Sequence, residues 1–154
     1  MIEVLKSFRA DFYRGDSMVE RYMNQLAKLC LAESFVEVQD KQYVYTSHVL
    51  MGLMSEGRSL ACRFLLSKSV TLQAVRDCAC KTQMVCEPSI EKMVKDAFDL
   101  VEKTGFLSLI SGHLLLSILG EKKNLAYLIL EKLMPDLDEA ILELESLIRN
   151  GHSD

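Results

Sequence analysis

Apolar residues recur along this chain with a helical period almost from end to end. Val4, Leu5, Phe8 and Phe12 share one face of segment 2–13, the spacing of an amphipathic helix. Arg14-Gly15-Asp16 interrupts it. Ser17 with Glu20 three residues later is a capping-box pattern, in which each side chain satisfies the other's backbone N–H. The helix that follows extends to about Phe35 and turns Val19, Met23, Leu26, Ala27 and Cys30 inward. Residues 36–45 read as a loop or short extended piece. Thr46 then reads as the N-cap of a helix over 47–55, which Gly57 stops. Two more helices are expected over 58–67 and 71–81.

The pattern then begins again. Pro88 suits a first helical turn, where its missing N–H costs nothing. Segment 89–103 puts Ile90, Met93, Val94, Ala97, Leu100 and Val101 on one face, and Gly105 ends it. Ser111 reads as the cap of 112–119, Gly120 ends that helix, and 122–133 follows. Met134-Pro135 is a break. Asp136 reads as the cap of a last helix with the stripe Leu137, Ile141, Leu144 and Ile148. Asn150-Gly151 suits its C-terminal stop.

From Thr46 to Leu72 the first half aligns with the second without a gap at an offset of 65. Thr46 meets Ser111, His48 meets His113, Leu50 meets Leu115, Leu60-Ala61 meets Leu125-Ala126, and Leu65 meets Leu130. The preceding helices align at an offset of 71, with Glu20 on Glu91, Leu29 on Leu100 and Phe35 on Phe106. The difference is a six-residue insertion around 36–45. The expected fold is all-α: two pseudo-repeats of about four helices, at 17–82 and 88–149, packed as one domain. An extension helix at 1–16 precedes them and a tail at 150–154 follows. Leu50, Leu53, Leu65, Leu115, Ile118 and Leu130 are expected in the core.

Composition agrees with helix. The 154 residues are 49% hydrophobic and only 7% aromatic, with 7 Gly and 2 Pro, too few turn formers for an all-β chain. The net charge of −4 gives no basic field for a phosphate backbone, so no nucleic-acid partner is expected. Residues 1–86 carry +2 and residues 87–154 carry −6. Met1 to Asp16 has no apolar core of a leader, and the five cysteines are odd in number. A reducing, cytoplasmic or stroma-like compartment is expected, with reduced thiols. The longest uncharged run, 104–120, is shorter than a membrane span.

Thr46-Ser47-His48-Val49-Leu50-Met51-Gly52-Leu53-Met54 with Leu60-Ala61 and Leu65 resembles the repeat of the N-terminal domain of Clp ATPases. Ser111-Gly112-His113-Leu114-Leu115-Leu116-Ser117-Ile118-Leu119 with Leu125-Ala126 resembles a second copy, and Lys103-Thr104-Gly105 matches the family's glycine stop. The resemblance covers roughly 17–149. It implies a non-enzymatic recognition module that captures protein substrates or adaptors for an unfolding motor. The partner would be a Clp ATPase, an adaptor, the protease core or a substrate protein. Stand-alone relatives such as the plastid ClpT proteins imply an alternative, a structural subunit on the proteolytic core. The sequence departs from the family where its Thr-Glu-His has Ser47 or Gly112 in the middle position. In ClpC-type domains that glutamate takes part in reading arginine phosphate; both repeats lack it here, so weak or no binding of phosphoarginine is expected. No G-x-x-x-x-G-K-[ST] phosphate loop occurs, so no nucleotide is expected.

Other candidates favour structure over chemistry. Cys78, Cys80 and Cys86 suggest a thiol or metal sensor, but C-x-C at a helix end is not a paired zinc knuckle. His48 and His113 sit just inside helix starts and read as packed imidazoles bonded to backbone. The acidic residues of 138–145 read as a solvated face suited to a helix N-terminus. Neither catalytic residues nor a cofactor or metal site is expected. Tyr43 and Tyr45 form a contact patch or pin their loop, since Tyr serves both roles. The expected partner-contact residues are Tyr43, Tyr45, Thr46, Ser47, Ser111 and Gly112.

Overall fold

The computed structural model describes residues 25, 26, 28–30, 32, 44–82 and 86–154. All regular structure among them is helical. Residues 25, 26, 28–30 and 32 are helical, with Leu26 and Cys30 buried, the inward face expected from their spacing. Seven helices follow: α1 (Thr46–Glu56), α2 (Leu60–Ser67), α3 (Leu72–Lys81), α4 (Ile90–Lys103), α5 (Ser111–Leu119), α6 (Leu125–Leu133) and α7 (Leu137–Arg149). The expected helix over 2–13, the capping box at Ser17 and the loop 36–43 with Tyr43 lie outside the described residues.

Two helices form the centre. All of Thr46–Met54 in α1 and every residue of α5 are buried. That explains their continuous apolar runs, because a helix covered on all sides carries no polar stripe. α1 packs on α2, α3, α5 and α6, and α5 packs on α2, α4, α6 and α7. The outer helices keep a one-sided pattern. α4 buries Met93, Val94, Ala97 and Val101, and α7 buries Leu137, Ala140, Leu144 and Ile148. Leu50, Leu53, Leu65, Leu115, Ile118 and Leu130 are fully buried, as expected.

Local chemistry sets the helix ends. Ser59, Thr71 and Ser89 cap α2, α3 and α4, each hydroxyl accepting the N–H three residues on, which satisfies an orphan donor. α4 ends at Gly105, where φ is +77°. Phe106 N–H donates to Val101 O and Gly105 N–H to Glu102 O, a paired closure that needs the left-handed backbone glycine adopts readily. Gly151 closes α7 the same way.

Two expected caps are corrected. Thr46 and Ser111 are not N-caps but the first residues of α1 and α5, and Tyr45 and Ile110 are the caps. A histidine three residues on takes over the capping role. Tyr45 N–H donates to His48 Nδ1 at 2.9 Å and Ile110 N–H to His113 Nδ1 at 3.1 Å. The Thr46 and Ser111 hydroxyls are thereby free to act between helices. Asp136 holds the cap position of α7, yet its side chain makes no capping bond. α6 begins at Leu125, not at 122: residues 121–124 form a turn closed by Asn124 N–H on Glu121 O, and the Asn124 side chain donates to Ile118 O at 2.8 Å.

Candidate functional site

Four helix starts meet in two pairs, and a carboxylate bridges each pair. In the first, Glu87 joins α1 to α6. Thr46 N–H donates to Glu87 Oε1 at 2.8 Å, the Thr46 hydroxyl to Oε2 at 2.6 Å, and Leu125 N–H to Oε2 at 2.7 Å. The Thr46 hydroxyl in turn accepts Ala126 N–H at 3.0 Å. In the second, Asp154 joins α5 to α2. Ser111 N–H donates to Asp154 Oδ2 and Leu60 N–H to Oδ1, both at 2.9 Å, and the Ser111 hydroxyl bonds Oδ1. Ser111 Oγ accepts Ala61 N–H at 3.0 Å.

The physical logic is the same in both places. The first turn of a helix leaves amides without intrahelical partners and carries partial positive charge. Two such ends brought together would repel. An anion between them accepts from both, and these are charge-assisted hydrogen bonds. A hydroxyl that donates to the carboxylate and accepts from the facing helix completes the junction.

The histidines belong to the same construction. His48 and His113 are buried. His113 Nδ1 is occupied by Ile110 N–H, and Nε2 lies 2.8 Å from Thr104 Oγ1. The Thr104 hydroxyl already donates to Leu100 O at 2.7 Å, so Nε2 carries the proton and donates to it. Phe106 stands edge-on to the imidazole, 5.0 Å between centroids. Burial holds the His113 pKa down to about 4, against a smaller raising effect of the Asp154 charge. A neutral imidazole with both nitrogens engaged serves as a cap rather than as a base reaching for a substrate.

The structure brings five of the six sequence-expected contact residues to these helix starts. Thr46 and Ser111 are inside the junctions. Ser47 and Gly112 follow them and are buried, and Ser47 Oγ has no hydrogen-bond partner among the described residues. A Cβ on Gly112 would stand 2.7 Å from Ile148 Cδ1 and 3.2 Å from Leu60 Cδ2, so any side chain here would force these two buried residues to shift. Tyr45 is half-buried, its ring 5.6 Å from that of His48. Tyr43 lies outside the described residues.

Sequence reasoning missed Glu87 and Asp154. Each acts on residues 38 or more positions away along the chain, beyond the reach of any local pattern. The one available signal is an acidic residue immediately before Pro88-Ser89 at the start of a helix.

The thiols do not converge. Cys78 is half-buried, Cys80 and Cys86 are exposed, and none of them forms a disulfide. Among the described residues no group of three or more His, Cys, Asp or Glu is placed to hold a metal ion. Burial, and then the charge of Glu56, pushes the Cys62 thiol up, away from the thiolate form that nucleophiles need. No helix of the described residues is long and apolar enough to cross a membrane. No protein-family model matches the chain, and no curated protein matches it.

Proposed function

We propose that this chain is a non-enzymatic protein-recognition module with the double-repeat architecture of Clp N-terminal domains. In this reading it serves a Clp chaperone–protease system as adaptor, accessory subunit or regulator, or as the substrate-binding domain of a Clp ATPase. One observation carries the reading: residues 65 apart make the same hydrogen bonds. Thr46 and Ser111 accept from Ala126 and Ala61, Leu60 and Leu125 each donate to a bridging carboxylate, and His48 and His113 each accept the cap amide. Each half supplies its hydroxyl to the other, so the halves support one another as an internally duplicated domain would.

Binding rather than catalysis suits this geometry, because its conspicuous polar groups are consumed in joining helices. Thr46, Ser47, Ser111 and Gly112 sit behind the carboxylates, so partner contact at these caps begins on what borders them. On the α1 side that border is Tyr45; on the α5 side it is the tail at Ser153 and Asp154.

The test is affinity capture with the whole tagged chain from its native cell extract, followed by calorimetry with each purified partner. Enrichment of a Clp ATPase or ring peptidase, with direct binding weakened by Tyr43→Ala and Tyr45→Ala, supports the reading. A folded bait that enriches no Clp component overturns it.

A further inference from the structure

Glu87 and Asp154 make matching contacts from very different places in the chain. Glu87 lies in the connection between α3 and α4, immediately before Pro88 and the α4 cap Ser89. α4 begins three residues after it. Asp154 stands beyond the α7 cap Asn150, and Gly151, His152, Ser153 and Asp154 are all exposed. Apart from its carboxylate, this segment is held by three kinds of contact, the first being the Gly151 N–H to Ile148 O bond that closes α7. Arg63 Nη2 donates to Ser153 O at 2.7 Å, and His152 lies on Leu147 O through its N–H and its ring, both at 3.0 Å. Arg63 itself is an exposed residue of α2. No apolar side chain of the tail enters the core.

Local opening is governed by how much buried apolar contact an element must give up. Lifting Glu87 would disturb the start of α4 three residues on, whereas lifting 151–154 breaks hydrogen bonds, part-buried at Leu60 and Ser111, without withdrawing any apolar side chain. We propose that residues 151–154 are a releasable strap. Docked, its Asp154 carboxylate ties the start of α2 to the start of α5. Released, it exposes Leu60 N–H, Ser111 N–H and the Ser111 hydroxyl while Glu87 keeps the α1–α6 junction closed. The two junctions therefore share one chemistry and differ in permanence. The strap stands independently of the proposed function; on that reading, its release is what uncovers the start of α5 at Ser111.

Residue-resolved amide hydrogen exchange on the full chain tests this, with circular dichroism as a check on folding. In the unsubstituted protein, Leu60 and Ser111 amides exchange at least tenfold faster than Thr46 and Leu125. Asp154→Asn, which removes the charge and keeps the shape, speeds Leu60 and Ser111 a further tenfold and leaves Thr46 and Leu125 within twofold. Arg63→Ala acts in the same direction with a smaller effect. Equal protection of all four amides in the unsubstituted protein overturns the proposal. So does Asp154→Asn that leaves Leu60 and Ser111 unchanged, or that speeds all four together, since the contact would then belong to the global core. None of these outcomes depends on whether a Clp partner binds.

Discussion

At the scale of single residues, His113 shows how a cap becomes a pH-dependent element. Burial disfavours the charged imidazolium, so the fold keeps this imidazole neutral down to about pH 4, and Nδ1 stays open to the Ile110 amide. The unfolded chain, with an ordinary imidazole near 6.5, takes up the proton first as pH falls. The contribution is therefore fully present above about pH 6.5 and is lost as pH falls toward 4, by roughly 3 kcal/mol at most. Urea denaturation at pH 7.5, 5.5 and 4.5 should show this loss, and His113→Gln should flatten it. Glu87 is the other decisive residue. Three donors face its carboxylate, so Glu87→Ala should cost about 2–4 kcal/mol. A midpoint within error of the unsubstituted protein would mean that water replaces the carboxylate without loss.

At the scale of elements, the buried central pair α1 and α5 carries the stability and the outer helices carry the amphipathic signal. Leu115 is fully buried in α5, and Leu115→Ala should destabilise by about 2–5 kcal/mol, the range for a cavity that relaxes only in part. A near-zero change in denaturation midpoint would contradict the central place of that helix. Close approach of helices matters as well. A Cβ on Gly52 in α1 would meet Cys30 Sγ at 2.8 Å and the Cys30 backbone nitrogen at 3.2 Å. The backbone atom cannot swing aside. Gly52→Ala should therefore lower stability by about 1–3 kcal/mol despite the better helix propensity of alanine, and thermal melting reads the sign directly.

At the scale of the whole molecule, two binding outcomes follow from what the chain carries. Calorimetry with magnesium nucleotide should show no heat of binding, because no glycine-rich phosphate loop with its lysine occurs in the sequence. Micromolar binding would refute this. Free phosphoarginine should bind weakly or not at all. Ser47 and Gly112 offer no carboxylate for the planar guanidinium, and losing one charge-assisted pair removes about 1.5–3 kcal/mol. A titration showing tight binding by the unsubstituted protein would sink that expectation. Restoring the charge at Gly112 is not a fair rescue, since Ile148 fills the space a side chain would need. Ser47→Glu alone is the variant to compare.

Helix placement was legible because it rests on short-range rules. The inward faces of α4 and α7 and the glycine closure at Gly105 each depend on residues within a turn or two, whereas Ser59, Thr71 and Ser89, read as helix interior or left unread, are the caps, and Pro88 precedes α4 instead of opening it. The offset that pairs His48 with His113 was also visible, as was their structural use. Sequence alone misassigned Thr46 and Ser111 as local caps, because a hydroxyl at a helix start looks the same whether it serves its own helix or another. Only tertiary packing turned those hydroxyls toward Ala126 and Ala61 and brought Glu87 and Asp154 between paired helix starts. The physical reason is range. Local hydrogen bonds are encoded by spacing along the chain, whereas a carboxylate bridging two helices is fixed only when the buried faces of α1 and α5 have decided which helix ends meet.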